Sequence, residues 1–153
     1  MKFYLLFFFC FIFSTASCQD TSIVTSWDKL TSAFVSRATA FESISLLVSK
    51  IAKVDSSILK DVSERKVALK MLLDDPRLPD SNFIQLVVKE NSKVRASFSK
   101  VMHLMSEPAF VSSKEAADIQ TQLMVIENQI SSRRKQYNTL LGTKNRMDLV
   151  YPK

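Results

Sequence analysis

The stretch TSIVTSWDKL TSAFVSRATA FESISLLVSK IAK, residues 21–53, places Ile23, Trp27, Leu30, Phe34, Arg37, Phe41, Ile44, Val48 and Ile51 at alternating steps of four and three. That spacing winds one apolar seam along an α-helix over about four heptads. Working outward, the next run predicts a second helix from Ser56 to Leu73, with Ile58, Val62, Arg65, Leu69 and Leu72 on its stripe. Asp55-Ser56-Ser57 supplies the capping oxygens before it. Pro76 and Pro79 break the chain. Asp80 or Ser81 can then cap a third helix, Asp80 to Ser106, whose stripe is Ile84, Val87, Asn91, Val94, Phe98, Val101 and Met105. Pro108 ends that helix, and Ser112 or Ser113 opens a fourth reaching about Met147, with Ile119, Leu123, Ile126, Ile130, Tyr137, Leu140 and Leu141 facing inward. Period-two alternation between closely spaced turns, the mark of strands, is missing. The chain reads as all-α, an elongated antiparallel four-helix bundle joined by short connections.

Composition narrows the function before any motif is sought. Gly142 is the only glycine among 153 residues, where average usage would give about ten. Phosphate-cradling loops need several glycines to close backbone N–H groups around an anion, so those nucleotide sites are excluded. His103 is the only histidine and there are two cysteines, which leaves little material for a metal centre or a histidine-based triad. The expectation is therefore no metal, no cofactor and no catalytic residue. His103 falls near the carboxyl end of the third helix, where a histidine is favourable without being a ligand. The methionines Met102, Met105 and Met124 read first as adaptable core filling, with a groove lining as the alternative.

Met1 to Ser17 carries Lys2, then the apolar run Phe3 to Phe13, then Ser14-Thr15-Ala16-Ser17. This has the order of a signal peptide, and the apolar run is shorter than the ~20 residues that a membrane-crossing helix needs. Thr15-Ala16-Ser17-Cys18 resembles a bacterial lipobox, with Thr15 standing where such boxes usually have Leu. The resemblance implies that residues 1–17 are removed and that Cys18, acylated by palmitate-like chains, opens a helical domain spanning 18–153. Two or more acyl chains anchor stably where one does not. The alternative is ordinary secretion with a reactive free thiol. Gln19 rather than Asp follows the cysteine, which slightly favours an outer membrane over an inner one. Removing Lys2 lowers the formal charge from +6 to +5, an excess compatible with a mixed solvated surface or with attraction to anionic headgroups. Nucleic acid is not an expected partner of an exported chain.

From Pro108 the sequence resembles the LemA family of bacterial envelope proteins. The resemblance rests on Pro108, Phe110, Ile119-Gln120, Leu123, Glu127-Asn128, Ile130, Arg134, Tyr137-Asn138, Leu141, Asn145 and Tyr151-Pro152, ungapped throughout. Its most specific part is Glu127 to Ile130 followed by Arg134 to Asn138. Trp27, Leu30, Phe34 and Arg37 also look like that family's first helix. The usual Asp-Leu-Ile-Pro-Asn run is here Thr39-Ala40-Phe41-Glu42-Ser43, and a second Tyr-Asn pair is here Lys144-Asn145. The resemblance implies a long-helix bundle held at the membrane, no established catalytic activity, and an envelope partner such as a membrane metalloprotease.

Three charges interrupt the apolar stripes of the first and fourth helices. Arg37 lies in the first seam, and Glu127 and Arg134 share one face of the fourth helix with Tyr137. A charge buried without a partner costs several kcal/mol. Glu127 is therefore predicted to accept hydrogen bonds from Arg37 or Arg134, with Tyr137 and Asn138 completing the cluster. Such a cluster can fix helix register, or it can form a ligand or partner site between helices. The functional expectation is a non-enzymatic, lipid-anchored envelope protein that scaffolds or modulates a membrane protein. Its alternative is a carrier of a lipid or amphiphile in a groove between helices. The intact mass of the chain extracted from membranes should lack residues 1–17 and carry fatty-acyl increments on Cys18; an unmodified mass would remove the anchor.

Overall fold

The structure is a computed structural model that describes the backbone of residues 3–51, 54–75, 79–106, 108–111 and 114–152, and their side chains apart from residues 3–20, 109 and 114. Five α-helices and a 3-10 turn follow in order: α1 Phe3–Ile51, α2 Ser56–Leu73, α3 Ser81–Leu104, α4 Pro108–Val111, α5 Lys114–Thr143 and the 3-10 segment Met147–Leu149. Among the described residues there is no strand. The four long helices run alternately up and down: Arg37 meets Glu127 on α5 while Lys29 meets Arg133, and Glu42 on α1 meets Ser63 and Lys66 on α2.

The α1 stripe packs as its spacing requires, with Ile23, Trp27, Leu30, Phe34, Arg37, Phe41, Ile44 and Val48 all buried. Ile51, at the end of the stripe, is instead exposed. The α3 stripe is buried from Ile84 to Met105. Asp55 caps α2 by accepting from the Ser57 N–H at 2.8 Å, and Asp80 caps α3 by accepting from the Phe83 N–H at 2.7 Å. Each meets a donor that the first turn of a helix leaves unpaired.

Several boundaries differ from the sequence expectation. The first helix was expected to begin at Thr21, but α1 begins at Phe3; the sequence has neither glycine nor proline before Thr21 to stop it. The side chains of residues 3–20, among them Cys18 with its expected acylation, and the expected caps Ser112 and Ser113 all lie outside the described residues. Among those described, no helix is long and apolar enough to cross a membrane. Pro108 opens the short helix α4 as well as following the third. Its fixed φ suits a first helical position, and Phe110, fully buried, pins the turn to the core.

The fourth long helix stops at Thr143, short of Met147, because Asn145 adopts φ 54°. The Arg146 N–H then donates back to the Leu141 carbonyl at 2.9 Å and the Asn145 N–H to Gly142 at 3.3 Å. This is the Schellman arrangement, with asparagine in the left-handed position that glycine usually takes. The chain reverses there and returns Leu149 and Tyr151 to the core. Among the described residues α3 and α5 do not pack side by side, and the returning C-terminal segment touches both. Substituting Asn145, which is exposed, by Ala should lower stability by about 1 kcal/mol through the left-handed penalty, while Asn145→Gly should leave it equal or higher. Thermal melts followed by circular dichroism distinguish these outcomes.

Candidate functional site

Arg37 is only 2% exposed, placed by the α1 seam among aromatic neighbours. Its Nη1 donates to Glu127 Oε1 at 2.9 Å and Oε2 at 3.2 Å. Its Nη2 donates to Asn91 Oδ1. The guanidinium sits 5.7 Å from the centroid of the Phe34 ring and 5.8 Å from that of Phe41, within cation–π range. Asn91 Nδ2 passes the chain of bonds to the Tyr151 hydroxyl at 2.9 Å. One network thus joins α5, α1, α3 and the returning C terminus.

A second lock holds Tyr151 by its backbone. Asn138 Nδ2 donates to the Tyr151 carbonyl at 2.8 Å, and the Tyr151 N–H donates to Asn138 Oδ1 at 3.0 Å. The Tyr151 ring lies 5.1 Å from Phe34 and 6.3 Å from Trp27, and Trp27 in turn lies 5.3 Å from Tyr137. Burial raises the Tyr151 hydroxyl's pKa, while the Asn91 bond and the charges of Arg37, Arg134 and Arg95 pull it back.

The predicted cluster is therefore partly rearranged. Glu127 accepts from Arg37, but its side chain is 48% exposed and stands at the rim of the α5 stripe. A true helix drifts by about 20° per heptad, so an apolar stripe wanders and seven-residue partners need not stay at its centre. Arg134, half-buried, makes no hydrogen bond or ion pair among the described residues. Tyr137 is fully buried, yet its hydroxyl has no partner among them. Asn138 grips Tyr151 and not Glu127. The residues that complete the network, Asn91 and Tyr151, were not anticipated there. Their signals were present: Asn91 is the polar interruption of the α3 stripe, and Tyr151 closes the family-like pattern.

Beside the network, over Phe41 and between α3 and α5, lies a groove of about 430 Å³. Phe98, Met102, Leu123 and Met124 line it, with Arg95 and Glu127 at one end. Its floor is firm, since Phe41 and Phe98 stack 3.8 Å apart and 8° from parallel. Among the described residues no three His, Cys, Asp or Glu side chains gather into a metal-binding group, and His103 is exposed at the end of α3. The remaining carboxylates between helices act as braces. Hydrogen bonds from Lys66 and Ser63 hold the Glu42 pKa below its usual value, and the Ser97 hydroxyl does the same for Asp61.

Replacing Glu127 by Ala leaves buried Arg37 with Asn91 alone and should cost about 2 kcal/mol in urea unfolding, less than for a fully buried pair because the carboxylate faces water. A change within about 0.5 kcal/mol would mean that solvent replaces it. Tyr137→Phe removes an unpaired buried hydroxyl and should be neutral or stabilising at neutral pH. Burial also raises the Tyr137 pKa above its ordinary 10.0, so the unfolded chain loses that proton first. Stability should hold below about pH 10 and fall above it, and Tyr137→Phe should make that alkaline fall shallower.

The sequence model of the LemA family matches residues 26–152. Searches of curated proteins and of solved structures return no match. The matched span contains Arg37, Asn91, Glu127, Asn138 and Tyr151, the whole of the network that ties the helices together, and the chain belongs to the LemA family.

Proposed function

We propose that this protein is a non-enzymatic helical body, exported by residues 1–17 and held through acylated Cys18 at the extracytoplasmic face of a bacterial envelope membrane, where it scaffolds or modulates a membrane protein. An outer membrane is slightly favoured by Gln19. The observation that carries the partner role is on α2: Val67 and Met71 stand one turn apart on its outer face, 48% and 71% exposed. Apolar anchors at i and i+4 are what a partner helix engages. The internal chemistry supports binding over catalysis, because both oxygens of Glu127 are already engaged by Arg37 and no second carboxylate or histidine joins them among the described residues. The partner class is an integral envelope protein, a membrane protease among the candidates.

A photo-crosslinking side chain at Met71, introduced in living cells, should trap one membrane protein identifiable by mass spectrometry. The same group at exposed Lys135 on α5 should not trap it. Equal trapping at both positions, or none at Met71, would remove the α2 surface as the partner face. A second reading, binding of a lipid or other amphiphile, is supported by a different observation: the groove over Phe41, whose volume lies within the ~300–1,000 Å³ of small-molecule sites.

A further inference from the structure

A four-helix bundle closes when each helix packs on two neighbours, and here one of the four sides is open. α1 packs on α2 and α5 and, less extensively, on α3, and α2 packs on α3, while α3 and α5 make no comparable contact among the described residues. The returning C-terminal segment bridges that side at the level of Tyr151. Beyond it the seam is uncovered, and the apolar groove occupies it. Its walls are unusually bare for a core, with Met102 46% and Met124 61% exposed. The groove follows α3 from Arg95 to Met102, a rise of about 10 Å at ~1.5 Å per residue. That is short for seating a partner helix, and it takes the head-proximal part of an extended hydrocarbon chain.

Charge divides the two ends. The end at Met102, Leu123 and Met124 is apolar. At the other, Arg95 and the Glu127 carboxylate line the groove, and Arg37 and Arg134, outside the lining, act with Arg95 on the Tyr151 hydroxyl. Glu127 is matched by Arg37. Arg95 and Arg134 have no ion-pair partner among the described residues. One guanidinium on the lining of an apolar trough, with a second behind it, fits one class of ligand, an amphiphile with a compact anionic head and a single tail.

We propose that the open α3–α5 seam binds a fatty acid, its tail on Phe41, Phe98 and Met124 and its carboxylate held by Arg95 with Arg134 behind it. The proposal rests on the amphiphile reading given above and adds the head-group chemistry. Guanidinium and carboxylate match in planar, charge-assisted bonds, so the site discriminates by head charge as well as by tail. Glu127 lines the same end without being consumed, because buried Arg37 already answers its charge.

Calorimetric titration of the purified full chain with sodium laurate below its micelle concentration tests this, with neutral monolaurin as the matched control. Laurate should bind at least about tenfold more tightly than monolaurin, and the double variant Arg95→Gln/Arg134→Gln should erase that preference without altering the helical circular dichroism. Met124→Gln should weaken both ligands. Equal affinities in the unaltered chain, or a preference that survives the double substitution, would overturn the arginine clamp while leaving an amphiphile groove. Heat from neither ligand would overturn the groove reading and the clamp together. A dimer abolished by Met124→Glu and indifferent to laurate would make a second copy of the chain the occupant, overturning the proposal.

Discussion

A guanidinium removed from water is tolerable only if its charge and most of its donors are answered, and Arg37 is answered through Nη1 and Nη2 from two other helices at once: a carboxylate on α5 and an amide on α3, with aromatic rings on its own helix above and below; its Nε finds no partner among the described residues. Hydrophobic contacts alone are weakly directional and would permit neighbouring helices to slide by a turn. A buried charge with one acceptable partner does not permit that, since a slipped register would strand it at a cost of several kcal/mol. The placement of α5 and α3 on α1 follows from this requirement. The Asn91–Tyr151 bond then extends the same constraint to the end of the chain.

The C terminus behaves as a strap. Asn145 turns the backbone, Asn138 clamps the Tyr151 peptide from both sides, and the ring fills the space beside Trp27 and Phe34. That strap spans the side of the bundle where α3 and α5 diverge, but only at one level. The bundle is thus tight at the end pinned by Tyr151 and open farther along, where Phe41 and Phe98 form the floor. Rigidity at one end and access at the other arise because, among the described residues, Tyr151 ties α3 to α5 at one level only.

The same network separates two kinds of polar residue that look alike on a helical wheel. Arg37 and Arg134 both fall on or beside apolar stripes, yet Arg37 is enclosed and bonded while Arg134 stays at the rim. Tyr137 and Tyr151 are both buried, but Tyr151 has Asn91 to meet its hydroxyl and Tyr137 has none among the described residues. What each does depends on a neighbour far away in the chain.

Helix identity, the caps at Asp55 and Asp80, and the buried stripes of α1 and α3 were all legible in the residues, because helical period, capping chemistry and proline geometry act over a handful of neighbouring positions. Even the need for a partner at Arg37 could be read there, as burial of a charge demands one. Which partner it took could not. Glu127 over Arg134, the entry of Asn91 and Tyr151, the early stop at Asn145 and the open side between α3 and α5 depend on distances across the bundle. Those distances follow from how four helices of unequal length and bulk pack around α1, and no local pattern encodes them.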